Sequence, residues 1–234
     1  MELDSLYDAY STFASNFAAY NGLTLVSGSH LEKSSELISQ KEFNATIIKS
    51  KFIVSEYSGE KLNHEAVDLP TESSFDSEEI EGGAKENTAK ILLAFCSRAV
   101  FESSINYTKL FNTIKPRKNE NDKEAIIIYE MGTKKTNIES FIKYTTKSLY
   151  ISAISIASFK IGRNHCACER RISIVVPSAF EEEAKKWYFS KKNIPEISRS
   201  DPAIVYIRAR VGDIISVLQN SISAGLSHEY RKVI

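Results

Sequence analysis

With 234 residues, 42% of them hydrophobic and 26% charged, the chain has the make-up of an ordinary globular protein, long enough for one large domain or two modest ones. Thirty acidic side chains cancel thirty basic ones, which excludes nucleic-acid binding by bulk charge and leaves any such contact to a local patch. No apolar run reaches the roughly 18 residues of a membrane span, the opening MELDSLYDAYSTF lacks a basic region ahead of an apolar one, and three cysteines are too few for a disulfide framework, so a soluble, reducing compartment is expected.

From the start of the chain, Leu6, Tyr7, Tyr10, Phe13, Phe17 and Tyr20 recur at intervals of three and four, one face of an amphipathic helix over residues 4–20 that Asn21-Gly22 ends. The sequence predicts a second helix over Ser29 to Gln40. The β-branched FNATIIKSKFIVSEY at 43–57 predicts one or two strands. Residues 58–89 are acidic, poor in large aliphatics and closed by a double glycine, the composition of a long surface loop. TAKILLAFCSRAVFES at 88–103 returns to helical spacing. AIIIYEMG is a buried strand ending at Gly132, KKTNIESFIKYTT is helical and LYISAISIASF is a second buried strand, so residues 125–159 predict a small α/β layer.

A domain boundary is expected in the polar, basic stretch KIGRNHCACERR. Ser178 and Glu181 have capping-box spacing for a helix running to about Phe189. Pro195 and Pro202 bracket a turn, and AIVYIRA, DIISVLQ and SHEYRKVI follow as strands. The fold class is therefore α+β, an N-terminal α/β domain at 1–160 and a small C-terminal domain at 172–234 built of one helix and a short mixed or antiparallel sheet. A sheet that small, with one helix, leaves a face or an edge uncovered.

Each chemical reading has a plainer rival. His165, Cys166 and Cys168 in HCACER fall short of the two ligand pairs a structural zinc site needs, and no orienting Asn or Asp makes them a catalytic pair, so free thiols are expected. The Trp187-Tyr188-Phe189 cluster is expected in the core rather than stacked on bases. Ile194, Ile197, Tyr206, Ile214, Ile215 and Val217, taken singly, are expected in the core. Asp201-Pro202 and Gly212-Asp213 suit turn formation and partner contact equally, since proline presets φ and glycine supplies positive φ. Lys134 and Lys135 in GTKKTN form either a solvated basic turn or a weak, sequence-independent phosphate contact. The acidic loop with Glu72, Asp76, Glu78, Glu79 and Glu81 is assigned no site.

The stretch from Ser178 onward carries Ile194-Pro195-Glu196-Ile197, Asp201-Pro202, Tyr206, Gly212-Asp213-Ile214-Ile215, Ser221, Ser223-Ala224-Gly225 and Tyr230-Arg231-Lys232-Val233 in unbroken order. It resembles the C-terminal assembly domain of the fifth-largest-subunit family of cellular RNA polymerases, of which archaea have a short counterpart. The aromatic-rich first helix, NGLTLV and EAIIIYEMG look like that family's eukaryotic jaw domain, which archaeal members lack. Val205, Arg208 and Gln219-Asn220 depart from the arginine, glycine and arginine-proline pair of the family pattern, which points to a divergent or viral polymerase.

The resemblance implies a non-catalytic subunit without cofactor, metal, membrane or small-molecule substrate. It docks on the largest polymerase subunit, beside other subunits, through Ile194, Pro195, Ile197, Asp201, Pro202, Tyr206, Gly212, Asp213, Tyr230 and Arg231. Its jaw lies along downstream duplex DNA, read non-specifically through Lys134 and Lys135. The place of action so implied is the nucleus of a cell, or the cytoplasm or virion for a large DNA virus. Two other classes compete: a free-standing protein-binding adaptor, and a metal-dependent nuclease for which AIIIYEMG offers Glu130 but no neighbouring carboxylate and lysine set.

Overall fold

The computed structural model describes residues 3–27, 37–60, 62, 88–116, 123–146, 148–160, 170–188, 190–221 and 225–234. The chain divides into two compact units that separate between Ile156 and Ala157.

In the N-terminal unit, helix α1 (Leu3–Asn21) ends at Gly22, whose φ of +61° a side chain would oppose. After β1 (Thr24–Ser27) comes α2 (Gln40–Ser50), and here the expected strand over 43–57 is corrected. Ser39 and Glu42 form a reciprocal capping box, Phe43 and Ile47 are buried four residues apart, and Lys51 closes the helix in the left-handed region. Those end signals outweigh the β preference of Thr46, Ile47 and Ile48. The strand begins only at Phe52, as β2 (Phe52–Glu60), so the expected loop loses its first residues to β2 and its last to β3 (Thr88–Cys96). Apart from Leu62, the rest of the acidic loop, and most of the helix expected over Ser29 to Gln40, lie outside the described residues.

The helical spacing read over 88–103 is a second correction. Residues 88–96 are a central strand, antiparallel to β2 and parallel to β4 (Lys123–Tyr129). Ile91 to Cys96 are buried without interruption because both faces are covered, and such a run carries no period that separates strand from helix. Two helices, α3 (Arg98–Glu102) and α4 (Ser104–Ile114), lead to β4. From there α5 (Lys135–Ile142) crosses to β5 (Leu149–Ser155), parallel to β4, which is the α/β layer the sequence predicts. The sheet order is β1-β2-β3-β4-β5.

Alternation along the strands sends one set of side chains to each face. Leu92, Ala94, Cys96, Ala125, Ile127 and Ile151 meet Val100, Leu110, Ile114, Ile138 and Phe141 of α3, α4 and α5. On the opposite face Phe95 packs with Tyr10 and Phe43, ring centroids 6.0 and 5.4 Å away, and the Tyr10 hydroxyl lies 2.6 Å from Ser55 Oγ.

The C-terminal unit opens with α6 (Ala157–Lys160), then β6 (Arg170–Ile174) and α7 (Pro177–Trp187). The expected capping box is absent: Val176 is the N-cap and Pro177 starts the helix, putting Ser178 inside the first turn where its hydroxyl does not cap. A single 3₁₀ turn (Lys191–Asn193) leads to β7 (Glu196–Ile197). The strand expected over AIVYIRA is instead helix α8 (Pro202–Tyr206): the Asp201 side chain accepts from the Ala203 N–H at 2.9 Å, and Pro202 sits where its missing N–H costs nothing. β8 (Ile214–Ser221) and β9 (Gly225–Val233) complete a mixed sheet in the order β6-β8-β9-β7, with β7 parallel to β9 and the other pairs antiparallel. The class is α+β as expected, with a second helix in place of a strand.

That second helix changes which surface stays open. Ile204, Ile207 and Ala209 pack on one face of the sheet against Ile215, Val217 and Val233. Phe180 and Ala184 of α7 pack on the other against Ile214, with Tyr230 and Ile194 beside them. Both faces of the sheet therefore carry a helix, and among the described residues exposed apolar area remains at the ends of α7 and at Leu226 on β9.

Candidate protein interface

Helix α7 places its buried residues four apart, Phe180 and Ala184, and ends at Tyr188, whose φ of +55° turns the chain away. Glu183 and Trp187 stand on the flank next to that buried stripe. Trp187, seven residues after Phe180, has core spacing but is 64% exposed, and Tyr188 is 97% exposed, which corrects the expectation of a packed aromatic cluster. Phe189 lies outside the described residues.

Tyr230 of β9 faces α7. Its ring meets Phe180 edge-on at 5.5 Å, lies 4.7 Å from the His228 ring, and its hydroxyl donates to Glu183 Oε2 at 3.2 Å. Burial and the neighbouring Glu183 carboxylate together push the Tyr230 phenol above its ordinary pKa. Between helix and strand opens a groove of about 490 Å³, lined by Glu183 and Trp187 of α7, Ile194 and Pro195 ahead of β7, and His228 to Tyr230 of β9. Aromatic and aliphatic walls with the Glu183 carboxylate among them are suited to seating an apolar side chain next to a cation.

Of the ten residues that the resemblance implies as an interface, Ile194, Pro195 and Tyr230 line this groove. Ile197 packs beneath the sheet with the α8 cluster, Tyr206 is half-buried at the end of α8, and Arg231 is paired with Glu229 at 3.1 Å. Asp201 and Pro202 start α8. Gly212 has φ +99° and donates its N–H to the Val233 carbonyl at 2.9 Å. Asp213, only 1% exposed, accepts from the Arg210 N–H at 2.7 Å through Oδ2. These last four build the turns that hold the sheet ends. Ile214, Ile215 and Val217 are buried, as expected, and Val205 is buried on α8.

In the N-terminal unit Lys134 and Lys135 are exposed at the start of α5, with Lys135 Nζ 3.6 Å from Glu139. No acidic residue stands in that first turn, so two lysines sit at the positive end of the helix dipole, where cations are disfavoured. Glu130 is engaged: it accepts from the Arg98 N–H at 3.0 Å and so caps α3. Cys96 is a buried free thiol, pushed up in pKa by burial; His165, Cys166 and Cys168 lie outside the described residues. Among the described residues no three His, Cys, Asp or Glu side chains converge as a metal would require, and none of their helices is long and apolar enough to cross a membrane.

Sequence reasoning missed Trp187, Tyr188 and the exposed Leu226 as surface. Composition held no signal for them, because exposure at a helix end or sheet edge is set by where the chain stops.

Residues 170–233 match the family described as RNA polymerase Rpb5, C-terminal domain, so the likeness starts at β6, eight residues before Ser178. The DNA-directed RNA polymerase subunit Rpo5 of Thermococcus kodakarensis is 39% identical over 54 residues, covering 23% of this chain and 66% of that protein. The Methanocaldococcus jannaschii subunit is 38% identical over 61 residues, 26% of this chain and 78% of the relative. The Pyrococcus horikoshii subunit is 32% identical over 78 residues, 31% of this chain and 95% of the relative. With β6 to β9 inside the matched segment, and relatives of this identity covered over most of their own length, the chain belongs to the Rpb5/Rpo5 family of DNA-directed RNA polymerase subunits.

Proposed function

We propose that the chain is a non-catalytic structural subunit of a multisubunit DNA-directed RNA polymerase, docked on the largest subunit through its C-terminal unit, with the N-terminal unit lying as a jaw along downstream duplex DNA. The observation that carries the docking is the groove beside α7. Trp187, Tyr188 and Leu226 leave aromatic and aliphatic area in water within the segment that matches the Rpb5 C-terminal domain, and such area is characteristic of a surface buried in an assembly. The jaw reading is supported by Lys134 and Lys135, exposed side by side at a helix start whose first turn carries no acidic residue, with Glu139 one turn on partnering Lys135 alone among the ion pairs of the described residues. Its place of action follows the polymerase: the nucleus in a cell, the cytoplasm or virion for a large DNA virus.

The test is affinity purification of the tagged full-length chain from its native setting. The largest polymerase subunit is expected in stoichiometric amount. Truncation before Ser178 abolishes its recovery, whereas Lys134→Glu with Lys135→Glu leaves recovery intact and lowers only salt-sensitive crosslinking to downstream duplex. A full-length chain that migrates as a free monomer in native extract overturns the reading.

A further inference from the structure

The C-terminal sheet has two outer strands, and they are finished differently. β7 pairs with β9 only at Lys232 and Val233, so among the described residues no strand lies along the outer side of β9 from Leu226 to Glu229. Backbone direction fixes which groups face outward. The Lys232 N–H donates to Pro195 on the β7 side and the Val233 N–H donates to Asp213 on the β8 side, both within the regular β8–β9 register. Strand alternation then points the N–H and C=O of Leu226 and His228 outward, on the side of Lys232.

Open edges are ordinarily blunted by lysine, arginine, proline or a bulge. β6, the other outer strand, begins with Arg170 and Arg171. The β9 edge reads Leu226-Ser227-His228-Glu229 in regular register, and Leu226 is 64% exposed. Outward backbone donors and acceptors at a strand's spacing are complemented by another extended main chain. In the groove next to them Glu183 supplies a carboxylate, while the Glu229 carboxylate is held by Arg231 at 3.1 Å.

We propose, resting on the polymerase-subunit reading above, that an extended segment of the largest polymerase subunit adds as a further strand along the outer edge of β9. It hydrogen-bonds to the backbone of Leu226 and His228, lowers an apolar side chain between Trp187, Ile194 and Tyr230, and brings a lysine or arginine toward Glu183. The strand supplies hydrogen bonds and register, and the groove supplies the choice of side chain.

The probe is the largest polymerase subunit of the same organism, co-expressed with the full-length chain and recovered through a tag. His228→Ala and His228→Pro both remove the imidazole and its 2.7 Å contact with Ser216, but only proline removes the outward N–H, and neither touches a β8–β9 bond. Recovery is expected to fall about tenfold further for proline than for alanine, the order of one lost interfacial hydrogen bond plus the displaced strand. Glu183→Lys is expected to weaken recovery more than Glu183→Gln. Hydrogen exchange on the wild-type complex is expected to slow at 225–231 relative to the free chain, a readout independent of any variant's folding. Equal recovery of the proline and alanine variants, or unchanged exchange at 225–231, overturns the added strand while leaving the subunit reading standing. Absence of the large subunit from the wild-type recovery overturns the subunit reading itself. A free chain that dimerises through this edge, with 225–231 already protected, replaces the proposed occupant by a second copy and overturns it too.

Discussion

Asp213 separates the two roles that its place in the sequence left open, turn builder and partner contact. Its carboxylate is 1% exposed and accepts the Arg210 N–H at 2.7 Å; its own N–H donates to the Arg210 carbonyl at 3.0 Å and its carbonyl accepts from Val233 at 3.0 Å. The side chain therefore clasps the turn that launches β8, and the backbone on either side ties that turn to the end of β9. Asp213→Ala removes a hydrogen bond to a charged group, worth about 1.5–3 kcal/mol, and leaves the Arg210 N–H without that acceptor, so a local loss of about 2–3 kcal/mol is expected. Asp213→Asn keeps an acceptor of the same shape and is expected to cost about 1 kcal/mol. Hydrogen exchange of the full-length chain reads this directly: amides of β8 and of residues 210–213 exchange some tens of times faster in the alanine variant, and those of β3 and β4 do not change. If exchange in this turn is unchanged while association with the large subunit is lost, Asp213 is a contact residue and the turn account is wrong.

Arg208, which departs from the glycine that the resemblance implies, has a φ of +60°, the region that glycine adopts without strain, and is only 3% exposed. Arg208→Val places a β-branched residue in the left-handed region and is expected to cost about 2 kcal/mol or more, whereas Arg208→Gly relieves the backbone and is expected to cost less; a thermal unfolding series in which glycine is the worse of the two refutes this. Burial lifts Tyr57 to about 12, so the folded state holds that proton more tightly than the unfolded chain does. The resulting stability is fully present below the unfolded tyrosine value of about 10 and is lost as pH rises toward 12, an effect of about 2 kcal/mol. Urea midpoints across that window are expected to fall less steeply for Tyr57→Phe, and parallel slopes refute the assignment.

Where pattern and burial agree, the fold was legible. The period of Tyr10, Phe13 and Phe17 gave α1, and the buried runs around Ile126 and Ile151 gave two adjacent parallel strands with a helix between them. It failed where one signal serves two structures. Ile91 to Phe95 is apolar throughout, and only the pairing of β3 with β2 and β4 makes it a strand. Ile204 to Ile207 looks like a strand by residue type, yet Asp201 and Pro202 set a helix start that outranks it. Thr46 to Ile48 were misread the other way, because the Ser39–Glu42 box and the left-handed stop at Lys51 fix a helix around β-branched residues.

The candidate interface was legible only in part, and for a different reason. Asp201, Gly212 and Asp213 were conspicuous in the sequence because a helix cap, a positive φ and a turn clasp each demand particular residue types. A seat for another chain makes no such demand. Trp187 and Leu226 need only apolar area, and the outward N–H of His228 belongs to the backbone and is the same whatever residue carries it. Substitutions at the conspicuous turn residues are expected to act on association through folding, whereas substitutions at Trp187 and His228 act on it directly.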